Sequence, residues 1–421
     1  MEMIRVIFMT VLVFFVIVTI HEWGHYFFAK RAGILVREFA IGFGPKLFSI
    51  KRGETRFTLR LVPAGGFVRM AGEDPEIVEV TVGQTVAVRV KNNQVTRIYL
   101  DRLDERSGVI RGEVTGIDLE KDLFVTLDVE GENDRFSVHP TALLISRGKE
   151  TQIAPIDRQF GSKSVGARAM SIFAGPLMNF VLAFVLFMAY IQLAGTPQGL
   201  LVDEVTKGMP AEQAQLQKGD LIDTVNGVKI GTDYDKMIDI IGASAGKPIQ
   251  LNVIRNGALE PIKLTPVADD QGVGKVGLRA AYQFRSATVG ETITGAAKLM
   301  KTMTISIFEG FKKIIIGDFK LDDLGGPVRT AEMTSEIARK GITDLTSWTA
   351  LLSLYLGIFN LLPIPALDGS RLIFLGLEAV RGRPVNPSRE SMVHFIGFAL
   401  IMLLMLVVTY NDILRLVRGE P

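Results

Sequence analysis

Four stretches of this chain are long and apolar enough to cross a lipid bilayer, at about residues 4–28, 170–193, 348–362 and 392–410. A spanning helix needs about 20 mainly apolar residues, and inside a bilayer only helices and closed barrels satisfy their own backbone. The third stretch is short and runs into prolines. Hydrophobic residues make up 48% of the 421 and charged ones only 22%, which suits a membrane protein with water-facing parts better than a soluble domain. A cleaved signal is the competing reading of the first stretch, but Arg5 alone supplies its basic end and no small-residue cleavage pattern follows.

Charge asymmetry gives these spans a direction. Lys30, Arg31, Arg37 and Lys46 follow the first, Arg158, Lys163 and Arg168 precede the second, and Arg371, Arg381, Arg383 and Arg389 separate the third from the fourth. The long connection between the second and third has only Lys207, Arg339 and Lys340 at comparable distances. By the positive-inside rule residues 30–168 and 371–390 are cytoplasmic, and residues 195–345 and both termini are outside. The net charge of +2 leaves no field to attract nucleic acid. With no cysteine in the chain, a disulfide framework, a thiolate metal site and a cysteine nucleophile are excluded, and any metal must sit on His, Asp or Glu.

The expected fold is a polytopic α-helical membrane protein with four transmembrane helices, a membrane-associated β-hairpin, a cytoplasmic β-rich insertion and a compact extracytoplasmic domain. Its parts are 1–32 (first span), 33–79 (hairpin), 80–156 (β insertion), 157–195 (second span), 196–270 (compact domain), 271–345 (amphipathic region), 346–390 (third span and the turn after it) and 391–421 (fourth span and tail). KLFSIKRGETRFTLRLV alternates around Arg52-Gly53-Glu54 as a hairpin does, and Gly65-Gly66 closes the next turn. Residues 80–156 carry Val, Thr and Ile between turn pairs. In the compact domain a strand GLLVDEV precedes a helix opening at Pro210 and stopping at Gly219, then come a second helix, TDYDKMIDIIGA, and a hairpin at Asn256-Gly257. Residues 291–316 have an apolar side, Leu299, Met300, Met303, Ile307 and Phe308, that suits either a membrane surface or packing on the domain.

The chemistry concentrates in HEWGH, residues 21–25. His21 and His25, four apart on a helix, project from one face and can share a metal ion, with Glu22 beside it as general base. A first helix about 36 Å long at 1.5 Å per residue puts His21 roughly 10 Å inside its cytoplasmic end, where an ionisable side chain costs about 2.5 kcal/mol or more. A third ligand is needed. Asp368 in NLLPIPALDGSR is the best candidate, against the alternative that it caps a helix running from about Arg371 to Val380. Pro363 and Pro365 there break the helix and leave extended backbone, which at membrane depth must be buried in protein or line a wet cavity. GPLMN in the second span contributes Gly175 for close backbone approach, and Asn179 and Asn360 are polar groups that serve either the site or a contact between helices.

HEWGH, GPLMN and NLLPIPALDG together resemble the signatures of the site-2 proteases, intramembrane zinc metalloproteases, in their bacterial RseP/RasP type. GFGP at 42–45, GGFVRMAGED at 65–74 and GGPV at 325–328 extend the resemblance over most of the chain, and one outer domain with a cytoplasmic insertion looks like the Bacillus form. The resemblance implies Zn2+ on His21, His25 and Asp368, Glu22 as catalytic base, and Asn360, Pro363, Pro365 and Asn179 as substrate-binding or auxiliary groups. It implies regulated intramembrane proteolysis in a bacterial cell membrane, with the active site toward the cytoplasm. Its substrates would be single-pass membrane proteins such as anti-sigma factors, and signal-peptide remnants, after a site-1 protease has made the first cut. The stretch MPAEQAQLQKGDLIDTVNG makes residues 196–270 resemble a circularly permuted PDZ domain, whose groove would lie at Gly199, Leu200, Leu201 and Val202 and either bind a chain end or filter by size. Gln215 stands where that pattern has glycine. A non-catalytic adaptor with a structural metal is disfavoured, because structural zinc sites usually have four protein ligands and only three can be nominated. A metal transporter would need a path of acidic and His residues through several helices, which the spans lack.

Overall fold

A computed structural model of the chain describes residues 2–73, 80–317 and 325–418. Asp74, the junction expected at 79, residues 318–324 of the expected amphipathic region and the tail beyond Arg418 lie outside the described residues. The chain divides into two compact units, Met1–Leu186 with Met300–Pro421, and Phe187–Leu299.

Helix α1 (Glu2–Arg31) runs unbroken through HEWGH and ends on Lys30 and Arg31, where cations complement the helix dipole. Two long strands follow, β1 (Val36–Arg52) and β2 (Thr55–Met70). Arg52 faces Thr55 across the Gly53-Glu54 turn and the pairing continues through Ile50 and Phe57 to Phe48 and Leu59, as the alternating pattern predicts. Phe39, however, faces both Phe57 and Val68. Residues 36–41 therefore lie between 56–59 and 66–70, and the hairpin is one part of a broader sheet with residues 46–52 at its edge. Gly42 and Gly44, at φ +88° and +83°, allow the bend within β1 because they have no Cβ to clash.

The next strands are β3 (Thr85–Lys91), β4 (Gln94–Tyr99), β5 (Ile110–Asp118), β6 (Phe124–Val129), β7 (Glu132–Ser146) and β8 (Lys149–Gln152). Their tight turns at Asn92-Asn93, Glu130-Gly131 and Arg147-Gly148 all take positive φ, as two-residue hairpins require. β4 pairs with β3 on one side and, in parallel, with β7 on the other. That closes β4-β3-β5-β6-β7 into a small barrel with β8 added along β7. Val86, Val88, Val95, Ile98, Val114, Val125 and Leu127 fill it. Helix α2 (Val165–Ala194) follows.

In the second unit β9 (Thr196–Val205), β10 (Leu221–Val225), β12 (Ile249–Arg255), β13 (Ala258–Leu264) and β16 (Leu278–Arg285) form a sheet in the order β13-β12-β10-β9-β16. The short β11 (Val228–Lys229) pairs with β10, and β14 (Val267–Ala268) with β15 (Gly274–Lys275). Helix α3 (Pro210–Gln213) opens on its proline but lasts four residues and does not reach Gly219. The cause is Gln215, which turns at φ +59° while its carbonyl accepts a bond from Arg255 at 3.0 Å. Asp233 caps α4 (Tyr234–Gly242) by accepting from the Lys236 N–H at 3.0 Å. Leu200, Val202, Ile222, Leu251 and Val253 are fully buried between sheet and helices.

Among the described residues five helices follow, α5 (Val289–Ile316), α6 (Pro327–Lys340), α7 (Ile342–Asn360), α8 (Asp368–Arg381) and α9 (Pro387–Arg418). Among the described residues α1, α2, α7 and α9 have the length and apolarity of membrane spans. α7 begins at Ile342, ahead of the expected Trp348, and stops at Asn360 before the prolines. Val6, Val13 and Ile17 of α1 pack with Ala338 of α6 and Leu345 of α7. Asp412, buried on α9, caps α6 from outside by accepting from the Gly326 and Arg329 N–H groups at 3.4 and 2.9 Å, satisfying donors that a helix start leaves open.

The Gly53-Glu54 turn is tied down by charge. Arg158 grips both Glu54 carboxylate oxygens, and Lys30 and Gln152 add bonds at 3.3 and 3.0 Å. The bonds from Arg158 hold the Glu54 carboxyl down at about 2. A carboxyl with a depressed folded value stabilises above its unfolded value, and that contribution disappears as pH falls toward the folded one. The Glu54→Gln variant should therefore unfold at lower temperature than the parent at pH 7 in detergent, and the gap should narrow as pH drops from about 4.5 toward 2; a pH series of melting curves checks this.

Candidate metal centre

α1 carries His21, Glu22 and His25 into a buried position, each less than a tenth exposed. The four-residue spacing sets the two imidazoles edge to face with centroids 4.8 Å apart, and their Nε2 atoms are 3.2 Å apart. Asp368 Oδ2 lies 3.3 Å from His21 Nε2 and 3.5 Å from His25 Nε2. That oxygen is buried and accepts no hydrogen bond. A tetrahedral zinc with bonds of about 2.0–2.1 Å spaces its ligand atoms about 3.3–3.4 Å apart, so these three edges suit a single ion. Two imidazoles and a carboxylate also form a donor set that zinc accepts, with one position left open. Among the described residues no other group of three such side chains converges in this way.

Neighbouring elements are cut away to make the site possible. A Cβ at Gly175 of α2 would overlap the His25 ring, and one at Gly24 of α1 would overlap the Ala174 backbone. A Cβ at Gly66 of β2 would stand 2.7 Å from Glu22 Cγ, so the sheet reaches the general-base candidate only through a glycine. Gly369 is needed for the same reason, because the carbonyls of Leu361 and Leu362 occupy the space a side chain would take. His25 is oriented from behind: its Nδ1 donates to the Ser171 carbonyl at 2.9 Å, which leaves the Nε2 lone pair for the metal side.

Several expectations change. Asp368 is the first residue of α8, and the capping position is Leu367, which has no side chain able to cap; the helix starts three residues earlier than Arg371. The stretch after Asn360 is not extended: Leu361 and Leu362 N–H groups bond back to Ile358 and Phe359, and Leu367 N–H to Ile364. Two prolines end the helix, but Ala366 at φ +75° folds the chain into turns, so it has no strand edge to offer a substrate. Pro363 is exposed, and Asn360 and Pro365 are half-buried. Asn179 is fully buried and stands behind His21, its Nδ2 3.2 Å from His21 Nδ1, so it does not reach a substrate. Gly199, Leu200, Leu201 and Val202 also lose their expected role. Leu200 and Leu201 pair with β10 on one side, and all four residues pair with β16 on the other, so no edge is free there. Within this sheet β16 is the end strand beside β9.

Ser171 and His394 were not foreseen. Ser171 acts through its carbonyl, for which the side chain carries no signal. His394 Nδ1 accepts from the Ala366 N–H at 3.1 Å, and the only hint in the sequence is its position at the head of the last span.

The model of "Peptidase family M50" matches residues 9–404. The zinc metalloprotease RasP of Geobacillus kaustophilus is 45% identical over 96% of this chain and 96% of its own length. A protein of Bacillus subtilis named regulator of sigma-W protease RasP is 43% identical over 96% of this chain and 97% of its own. The PDZ domain of an SdrC-like protein from Listeria monocytogenes aligns at 24% identity and a TM-score of 0.19, covering 20% of this chain and 90% of that structure.

Because its Cβ would overlap the His25 ring, Gly175→Ala is expected to lose most bound metal, whereas Gly376→Ala on α8, where the added carbon meets nothing, should keep it. Elemental analysis of the two purified variants in parallel checks this.

Proposed function

The chain belongs to peptidase family M50, and from that premise we propose that His21, His25 and Asp368 hold its zinc ion while Glu22 manages the proton of the attacking water. The protein is an intramembrane zinc metalloprotease. The observation that carries the residue assignment is the meeting of His21 Nε2, His25 Nε2 and Asp368 Oδ2 within 3.2 to 3.5 Å of one another.

Bound zinc lowers the pKa of a water to about 7 and polarises a carbonyl. The chain's own residues do the rest. Glu22 takes the water's proton on its carboxylate and returns it to the amine that leaves. His25, steered by the Ser171 carbonyl, keeps its protonated nitrogen away from the metal. Burial of all three α1 groups keeps bulk water away from them.

Substrates on this reading are single-pass membrane proteins already cut once by a site-1 protease, anti-sigma factors foremost, with signal-peptide remnants as a second group. The name of the Bacillus subtilis relative, a regulator of a sigma factor, supports the first group. Basic residues concentrated at 30–168 and 371–389 support a cytoplasmic-side active site with residues 195–345 outside. The same reading takes residues 196–270 as a PDZ-type domain extended to β16, whose outer edge, led by Gly277 at φ +76°, replaces Gly199–Val202 as the place for an added strand. Asn360 at the end of α7 and the Pro363–Pro365 turn, which precede Asp368 in the chain, are the groups this reading assigns to side-chain contact with the unwound substrate.

Glu22→Gln should keep its zinc and lose cleavage of a reconstituted transmembrane substrate by about 10²-fold to 10⁴-fold, the range of a general base. Asp368→Asn should bind zinc more weakly. Undiminished cleavage by the first variant would sink the mechanism, and unchanged zinc affinity in the second would remove Asp368 from the ligand set.

A further inference from the structure

We infer that Asn179 is a positioning residue whose carboxamide oxygen takes the Nδ1 proton of His21, so that the His21 Nε2 lone pair faces the metal. This rests on the reading of His21, His25 and Asp368 as zinc ligands.

A neutral imidazole carries one proton, so a histidine that gives Nε2 to a metal keeps that proton on Nδ1 and needs an acceptor there. His25 has one in the Ser171 carbonyl at 2.9 Å. Among the described residues His21 has no backbone oxygen in that role, and its Nδ1 meets the Asn179 side chain alone, at 3.2 Å. Of the two carboxamide atoms only Oδ1 can accept, and Asn179 Oδ1 is buried with no partner. A half-turn about the terminal torsion exchanges Oδ1 and Nδ2 in place, since the two ends of an amide have nearly the same shape. It supplies His21 with its acceptor and gives the oxygen a donor, while the NH2 group takes the place the oxygen leaves.

The surroundings hold Asn179 to this task. Its side chain is fully buried, which keeps it away from bulk solvent. Ser353 Oγ of α7 donates to the Asn179 carbonyl at 2.9 Å. Gly357, one turn further along α7, approaches so closely that a Cβ there would stand 3.3 Å from Asn179 Cβ. A polar residue kept in place from three sides, with one face toward a ligand imidazole, orients that ligand. Both histidines of α1 are thus turned by oxygens of a single helix, α2, at positions 171 and 179.

The test is zinc affinity by chelator competition on the purified full chain in detergent, with four variants. Asn179→Leu keeps the branching and the number of heavy atoms and removes the acceptor; it should weaken zinc about tenfold to hundredfold, the usual range for an outer partner of a ligand histidine. Asn179→Asp keeps the shape and the acceptor, and should stay within about threefold of the parent, a rescue that a purely space-filling role does not produce. If Asn179→Leu does not accumulate as folded protein, Asn179→Ala takes its place with the same expected loss. Unchanged affinity without the acceptor overturns the inference, and so does an Asp variant as weak as the Leu one. Asp368→Asn, measured alongside, reports on the ligand set itself: zinc affinity unchanged there means that the underlying reading has failed, whereas a loss there with none in Asn179→Leu means that only the present inference has.

Discussion

The site exists because α1 and α2 can approach more closely than side chains normally permit. Gly24 lies over the Ala174 carbonyl and Gly175 over the His25 ring, so each helix contributes one missing side chain to the same contact. In a membrane there is little hydrophobic force to draw helices together, and association depends on close van der Waals contact and hydrogen bonds between them. Here the close contact also does chemical duty. It brings the Ser171 carbonyl within 2.9 Å of His25 and the Asn179 side chain within 3.2 Å of His21, neither of which a wider crossing would allow.

That contact also explains how four ionisable groups tolerate burial together. Each charged group at membrane depth costs about 2.5 to 3.5 kcal/mol on insertion scales, and an isolated buried charge without a partner costs more. His21, His25 and Asp368 share the cost by facing one another, and a divalent cation among them turns mutual repulsion of lone pairs into coordination. Glu22 is treated differently: the sheet approaches its side chain at Gly66, and it is not one of the three side chains whose donor atoms converge. The soluble-side knot of Glu54, Arg158, Lys30 and Gln152 then ties the same sheet to the end of α1 and to the segment leading into α2. The sheet that approaches Glu22 at Gly66 is therefore also anchored at its Gly53-Glu54 turn.

Much of this was legible in the sequence because the signals were local. Hydropathy marked the four spans, the His-x-x-x-His interval marked one helix face, and Asp368 was selectable because it lies in the proline-broken stretch NLLPIPALDGSR beside the third span. Tight turns were readable at Asn256-Gly257 and Arg52-Gly53-Glu54. What escaped depended on contacts distant in sequence. Nothing local tells that β4 pairs in parallel with β7, or that β16 comes back to β9 and covers residues 199–202. Backbone acceptors leave no trace in residue type, so Ser171 was invisible. Asn179 was noticed as polar in an apolar span, but its burial behind His21, which decides whether it meets substrate or ligand, is a property of three helices at once.

The turn that presents Asp368 illustrates how such distant contacts shape the chemistry. Two prolines oblige α7 to stop, yet they do not determine the direction the chain takes afterwards. Ala366 takes a left-handed conformation, φ +75°, which costs a residue with a side chain about 1–2 kcal/mol. The last span holds it there: His394 accepts the Ala366 N–H at 3.1 Å, and Gly397 leaves room for Pro365 to lie directly against α9. Asp368 follows at once as the first residue of α8, where the helix dipole favours a carboxylate. Its Oδ2 meets the two histidines of α1 from a strained turn that α9 supports. Asp368 is thus placed beside His21 and His25 by a helix that contributes none of the three side chains, and the spacing of the cluster is a joint property of all four spans.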